Sequence, residues 1–229
     1  MDHFLHIYSS QAREYHQMIA PEDVDGNLRR AIEQVVSVTG KRVLDLGTGT
    51  GRLAFLLTGI AEKFVGIDLH RAMLQENARL GSGGLLAQAD MRALALSSAW
   101  ADVVTAGWAI GHLRGWYEAD WQTQIGAVLR EMHRVAKPGG ILIIFETLTT
   151  GALTPAPPTP SLAEYYAWLE NQWGFVRQTI ATDYQFASVE EAVARTEFFF
   201  GAEMAEKIRA NGWARLPEWT GMWSKHATS

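Results

Sequence analysis

The sequence predicts an α/β fold, a doubly wound and mostly parallel sheet with helices on both faces. Three observations predict it. Apolar residues switch repeatedly between short continuous runs and helical spacing along residues 40–148. The first run, Val43 to Leu46, opens straight into the glycine turn Gly47-Thr48-Gly49-Thr50-Gly51, and two later runs end on aspartates, Asp68 and Asp90. Parallel strands need helical crossovers, and these cover both faces of the sheet.

Residues 1–38 read as helical, with Leu28, Ile32, Val35 and Val36 on one stripe. After the glycine turn, Leu53, Leu56, Leu57 and Ile60 recur at helical spacing. Phe64 to Ile67 is a second strand, and a helix follows near Ala72 to Leu80 until Gly81, Gly83 and Gly84 break it. Leu85 to Ala89 and Asp102 to Ala106 are the third and fourth strands. Trp121, Ile125, Val128, Leu129, Met132 and Val135 share one helix face; Pro138-Gly139-Gly140 stops that helix, and Ile141 to Phe145 is the fifth strand. Four of the seven prolines lie in residues 151–160, a stiff connection excluded from helix interiors and central strands. Ser161-Leu162-Ala163-Glu164 and Ser188-Val189-Glu190-Glu191 are capping-box patterns that open helices. Phe175 to Phe186 reads as a strand, the helical region runs to about Asn211, and Glu218 to His226 closes the sheet.

With 229 residues, one domain is expected: N-terminal helices over 1–38, a core over 40–150, an elaboration over 151–212 and a closing strand over 213–229. Cysteine is absent, which excludes disulfides, thiolate nucleophiles and cysteine-based metal centres. No His, Asp and Glu cluster has ligand spacing, so no metal is expected. The net charge of -5 and scattered Lys and Arg argue against a basic face for nucleic acid. No run approaches the roughly 18 apolar residues of a membrane span. Met1-Asp2-His3-Phe4 lacks the pattern of a secretory leader, so a cytoplasmic setting is the default expectation.

The glycine turn bends the chain tightly and lets backbone approach a ligand, beside the free N–H groups of a helix start. Asp68 ends the second strand, 17 residues after Gly51, where an acid accepts from two vicinal ribose hydroxyls. A strand-end residue of this kind carries little packing load. A dinucleotide loop needs Gly-x-Gly-x-x-Gly, but here the glycines are two apart and Arg52 stands where the third would fall. A phosphate-binding loop needs Gly-Lys-Ser/Thr, which Gly51-Arg52-Leu53 does not supply. Asp45 at the loop's mouth repels a pyrophosphate and suits an ammonium group, such as that of an adenosine with a methionine tail. A nicotinamide-dependent oxidoreductase is therefore disfavoured.

Asp45-Leu46-Gly47-Thr48-Gly49-Thr50-Gly51 resembles the first motif of the class I S-adenosylmethionine-dependent methyltransferases, small-molecule type. The resemblance covers about residues 40–148: Asp68 matches the ribose-binding acid, and Ala89-Asp90-Met91 matches the segment whose Asp reaches the adenine amino group while the next residue packs on the ring. Ala101-Asp102-Val103-Val104 and Val135-Ala136-Lys137-Pro138-Gly139-Gly140 match the fourth strand and the approach to the fifth. It implies a Rossmann-like sheet of seven strands with the last antiparallel, S-adenosylmethionine as cofactor and S-adenosylhomocysteine as product. It adds Leu69, Met73, Ala106 and Trp108 to the expected cofactor-binding set, and a leading helix offering Tyr8, Arg13 or Tyr15 to the methionine carboxylate. Tyr8 and Tyr15, seven residues apart, are read as two turns on one helix face.

The partner expected is a small-molecule acceptor with an O, N or C nucleophile, since no Asn/Asp-Pro-Pro-Tyr follows the fourth strand and no paired-glutamate loop is visible. A protein that binds the cofactor or its product without turnover is the alternative. His112 is the candidate base or acceptor-orienting group, its ordinary pKa lying near neutrality; a polar residue closing a loop is the other reading. All nine tryptophans lie at or after residue 100, and most are expected to glue helices to the sheet. Residues 161–173 are expected to wall the acceptor pocket through Tyr165 and Trp168.

Overall fold

The computed structural model describes residues 3–227; Met1 and Asp2, on which the leader reading partly rests, lie outside them, as do Thr228 and Ser229 of the expected closing segment. The strands are β1 (Arg42–Leu46), β2 (Lys63–Asp68), β3 (Leu85–Gln88), β4 (Ala101–Gly107), β5 (Ala136–Thr150), β6 (Val176–Ala181), β7 (Tyr184–Gln185), β8 (Arg215–Leu216) and β9 (Glu218–His226). Seven of them form one sheet in the order β3-β2-β1-β4-β5-β9-β6, while β7 and β8 pair separately. β1 to β5 are parallel, and β9 runs antiparallel between β5 and β6. This is the predicted doubly wound sheet with its last strand antiparallel.

The centre of the sheet is buried on both sides. On one face α3 (Asn27–Val35) and α4 (Arg52–Leu57) bring Leu28, Ile32, Leu53 and Leu57 against Val43, Val103, Ile143 and Phe145. On the other, α7 (Trp121–Val135) lays Ile125, Val128, Leu129 and Met132 on Leu44, Val104, Leu142 and Ile144. Residues alternate between these faces along the central strands β1, β4 and β5, so there both alternations are apolar, as burial from both sides requires, while the edge strands β3 and β6 are largely exposed.

Several elements depart from their expected bounds. β5 extends from Ala136 to Thr150 rather than stopping at Phe145. Its antiparallel partner β9 continues the ladder out to Thr150 opposite Glu218, and backbone hydrogen bonds carry the extra residues. Pro138-Gly139-Gly140 ends α7 as expected but lies within this strand; a Cβ on Gly140 would come within 2.9 Å of the Lys137 carbonyl. The 175–186 stretch is two strands, β6 and β7. The helix after the prolines, α8 (Pro160–Asn171), is capped by Thr159, whose hydroxyl accepts from Leu162 N–H; Ser161 already lies inside it, and Pro160 takes the first turn, where no N–H is needed. Ser188 caps α9 (Val189–Phe200), and Gly201 separates it from α10 (Ala202–Asn211).

The N-terminal segment is broken at Gln11 into α1 (His3–Ser10) and α2 (Ala12–Ile19). Tyr8 and Tyr15 therefore sit on two helices, yet their rings meet edge to face, 5.4 Å apart. These helices pack on Met73 of α5 (Arg71–Leu80) and on Phe198 and Phe199 of α9. No described helix is long and apolar enough to cross a membrane.

Candidate active site

The strand order reverses between β1 and β4, and a crevice opens there beyond the carboxyl ends of the strands, the usual ligand position in such a sheet. A cavity of about 120 Å³ lies in it. Gly47, Gly49, Asp68, Leu69 and Met73 line one side, Asp90 and Met91 another, and Trp108 and His112 a third. Tyr8 and Tyr15 close it from α1 and α2, whereas Arg13 is exposed. Asp45 and Thr48 face a small recess beneath the glycine loop, shared with Arg52. Gly51 and Ala106 line neither space: Gly51 precedes α4 and packs on Asn77, and Ala106 is buried in β4 between Leu46 and Ile144.

The loop is held by contacts that explain its composition. Gly47 has φ +67, and a Cβ there would lie 2.4 Å from the Ala109 Cβ, so only glycine lets the two loops touch. Gly49 N–H donates to Asp68 Oδ2 at 2.9 Å, and His70 N–H donates to Asp68 Oδ1 at 2.8 Å. The buried Asn77 amide donates to the Gly49 carbonyl from α5. Asp68 thus clasps the loop as well as facing the cavity, which corrects the expectation that it carries little structural load. Burial pushes its carboxyl up, and the two N–H donors pull it partly back. A carboxylate has about four lone-pair sites, so two remain for ribose hydroxyls.

Asp45 is 2 % exposed. Burial pushes it up to about 7, against the Thr105 hydroxyl, which donates to Oδ1 at 2.6 Å. No ion pair to it exists among the described residues. A buried carboxylate without a cation suits an incoming ammonium. Asp90 differs: Arg92 donates from its guanidinium to both carboxylate oxygens, down to 2.6 Å, and holds the carboxyl below its ordinary value. An adenine amino group would share Asp90 with Arg92.

Beyond β4, Trp108 takes φ +51, a strained conformation for a large side chain and one that concentrates at functional sites. Its indole stacks on Phe145 and lies under the Arg52 guanidinium, 3.9 Å from the ring centroid. On α6 (Gly111–Trp116), His112 Nε2 hydrogen-bonds Tyr8 Oη at 2.8 Å, and its ring stacks on Trp116. Tyr8, Tyr15, Trp108, His112 and Trp116 also line a second, larger cavity of about 520 Å³.

That second cavity holds charged groups that no local pattern in the sequence marks. Glu146, 5 % exposed, accepts from Gly111 N–H at 2.7 Å and from the Tyr165 hydroxyl; burial pushes it up to about 8. Arg52 pairs with Glu22 at 2.7 Å, and Glu218 lies nearby, held well above the usual carboxylate range by burial and then by Glu22. From α8 and its cap, Ser161, Leu162 and Tyr166 together with Thr159 reach this cavity. Tyr165 and Trp168, the expected wall residues, instead pack inward on Trp121. Among the described residues no group of three or more His, Asp and Glu is placed to hold a metal.

Residues 44–144 match the family described as a methyltransferase domain. The chain is 25% identical over 181 residues to the malonyl-[acyl-carrier protein] O-methyltransferase of Pseudescherichia vulneris, covering 70% of this chain and 68% of that one. It is 32% identical over 144 residues to the demethylmenaquinone methyltransferase of Thermus thermophilus, covering 60% and 58%. The match thus spans little more than half the length of the second relative. Among solved structures, a phosphoethanolamine N-methyltransferase from Haemonchus contortus, in complex with S-adenosylhomocysteine, superposes with a TM-score of 0.62 at 15% identity, over 100% of this chain and 61% of that one. The sheet order, the clasped glycine loop and these alignments along the same segment make residues 44–144 a methyltransferase domain of the class I S-adenosylmethionine-dependent kind.

Proposed function

We propose that this protein transfers the methyl group of S-adenosylmethionine to an O, N or C nucleophile of a small molecule held in the 520 Å³ cavity. The observation that carries this reading is the wall of five residues common to both cavities. A donor on one side of that wall and an acceptor on the other can meet in line, which is most of what an already activated sulfonium requires.

Roles follow from position. Asp68 accepts from the ribose hydroxyls, Asp90 and Met91 hold the adenine, and Leu69 and Met73 pack beside the nucleoside. Gly47, Thr48 and Gly49 shape the loop under the methionine tail, with Asp45 toward its ammonium. Tyr8 and Tyr15 cover the site, and Arg52, rather than Arg13, is the cation nearest the tail's recess. S-adenosylmethionine supplies the activated methyl group; the chain aligns the acceptor and excludes water. His112 sits at the wall with its ring fixed by Tyr8 and Trp116, placed to orient the acceptor or take its proton. In this reading residues 40–150 hold the donor and share the acceptor side with residues 151–212 and the N-terminal helices.

The test is incubation with methyl-labelled cofactor and a fractionated metabolite extract. Label in a new small-molecule product supports the reading. Tight binding of S-adenosylhomocysteine with no labelled product from any fraction favours the non-catalytic binder instead.

A further inference from the structure

Resting on that reading, we infer that the acceptor is an amine, held by a carboxylate floor made of Glu22, Glu146 and Glu218. Three distant segments of chain converge to build it: the turn after α2, the outer half of β5 and the first residue of β9. All three side chains face the larger cavity, and all three are almost fully withdrawn from water.

Their partners are too few. Arg52 pairs with Glu22, and its guanidinium is also committed to the face of Trp108. Arg114, the other cation on the cavity wall, is tied to Glu164 of α8. The Tyr184 and Thr182 hydroxyls lie by Glu22 and the Thr150 hydroxyl by Glu218, and Arg52 attracts both acids, yet Glu218 Oε2 and Glu22 Oε1 accept no well-formed hydrogen bond among the described residues. Glu146 takes two donors, yet no cation pairs with it among the described residues. Burying carboxylates in such numbers is unfavourable unless a cation or several donors reach them. An alkylammonium group supplies both at once, with one positive charge and up to three N–H donors. A carboxylate or phosphate acceptor would set its negative charge against the same acids, and a neutral hydroxyl brings no cation to hold them ionised, whereas an ammonium does.

The remaining wall is aromatic. Trp116, Tyr166, Phe199 and Phe200 surround the cavity, which suits the apolar body of an amine and, by their ring faces, its charge. For the reaction, the ammonium first gives one N–H proton to a floor carboxylate. The freed nitrogen lone pair then forms a bond to the methyl carbon as the carbon–sulfur bond breaks. The electron pair of that broken bond stays on sulfur, leaving neutral S-adenosylhomocysteine and an N-methylammonium product; the proton on the carboxylate returns to water.

The test uses the whole chain and works with an acceptor whose identity is open. A metabolite extract is divided at pH 7 into cation-exchange-retained, neutral and anion-exchange-retained pools. Each is offered with methyl-labelled S-adenosylmethionine. Label entering product at least ten-fold faster from the cationic pool is the expected result. Faster labelling from the neutral or anionic pool overturns the amine assignment while leaving methyl transfer standing; no label from any pool overturns both. Glu218→Gln, and Glu22→Gln should the first variant fail to fold, gives the second reading. It should raise the KM for the active pool at least ten-fold while the Kd for S-adenosylhomocysteine, measured by calorimetry, stays within about two-fold. An unchanged KM, or a Kd that moves in parallel with it, rules out the floor as the amine site.

Discussion

In the proposed reading Asp68 serves two partners, the glycine loop and the cofactor ribose, and a single substitution distinguishes it from a purely binding residue. Replacing it with Ala removes the acceptor for Gly49 and His70 N–H and, in the proposed reading, the acceptor for the ribose. Two charge-assisted hydrogen bonds to ligand correspond to about 2–4 kcal/mol of affinity once water's compensation is allowed for. The orphaned backbone donors add a stability loss of about 1–3 kcal/mol. We expect calorimetry to show weakened binding of S-adenosylhomocysteine and thermal melts to show a lowered Tm in the same variant. A normal Tm would mean the loop does not depend on the clasp.

The legibility of single residues follows from how they are assembled. Gly47, Gly49, Asp68 and Asp90 follow strand ends at short spacing, so sequence position alone places them together. Glu22, Arg52, Glu146 and Glu218 meet only because the topology folds four remote segments over one cavity. No periodicity marks such a meeting. Arg52 is visible in the sequence only as a misfit to the dinucleotide and phosphate-loop patterns. Glu146 is hidden because the apolar run of the fifth strand stops one residue before it, while the strand itself continues.

At the scale of elements, α8 shows what a pattern can and cannot give. Its aromatic content is legible, but which aromatic faces the cavity depends on where the helix starts, and Thr159 rather than Ser161 sets that. Tyr166 faces the cavity, its hydroxyl donating to the Thr147 carbonyl at 2.8 Å. Trp168 packs against Trp121 and Trp173. Tyr166→Ala is therefore expected to raise the acceptor KM more than it changes cofactor affinity. Trp168→Ala should leave both and cost stability near the lower end of the roughly 3–5 kcal/mol typical of aromatic truncation, since the ring is only partly buried. Kinetics on the labelled acceptor and chemical denaturation distinguish the two; the reverse pattern would reassign the cavity wall. The break at Gln11 is comparable: seven-residue spacing suggests one helix face, whereas two helices bring the same tyrosines into contact.

For the whole molecule, the buried acids give the fold a pH dependence of unusual sign. Glu146 rises to about 8 and Asp45 to about 7 in the folded chain, and Asp68, Glu22 and Glu218 shift the same way, all chiefly by burial. A folded pKa above the unfolded one means the native state binds more protons, so stability falls as pH rises from the unfolded value to the folded one. For Glu146 that window is about pH 4.5 to about 8, and each pKa unit is worth about 1.4 kcal/mol. Carboxyls held low by arginines or lysines, such as Asp90, Asp102 and Glu131, act oppositely and lose their contribution only in more acidic solution. The ligand-free protein should therefore be more stable near pH 5 than near pH 8. Glu146→Gln should flatten that difference by a few kcal/mol in denaturation at the two values, and an unchanged slope would mean the carboxyl is not buried neutral.

Fold class is readable because alternating periods and a strand–glycine–helix turn are local, and local signals are what a sequence carries openly. The order in which β9 inserts between β5 and β6, and the depth of the second cavity, are consequences of the assembled sheet. The central claim joins the two scales: the donor lies along β1, β2 and β4, and its reactive end points through the Trp108–His112 wall into the carboxylate-floored cavity. The most direct measurement is a crystal structure of the chain with S-adenosylhomocysteine. Ribose hydroxyls are expected on Asp68, adenine beside Asp90 and Met91, and the sulfur at Trp108 and His112 facing the 520 Å³ cavity. A ligand seated elsewhere, or a sulfur turned to solvent with that cavity sealed from it, would contradict the claim.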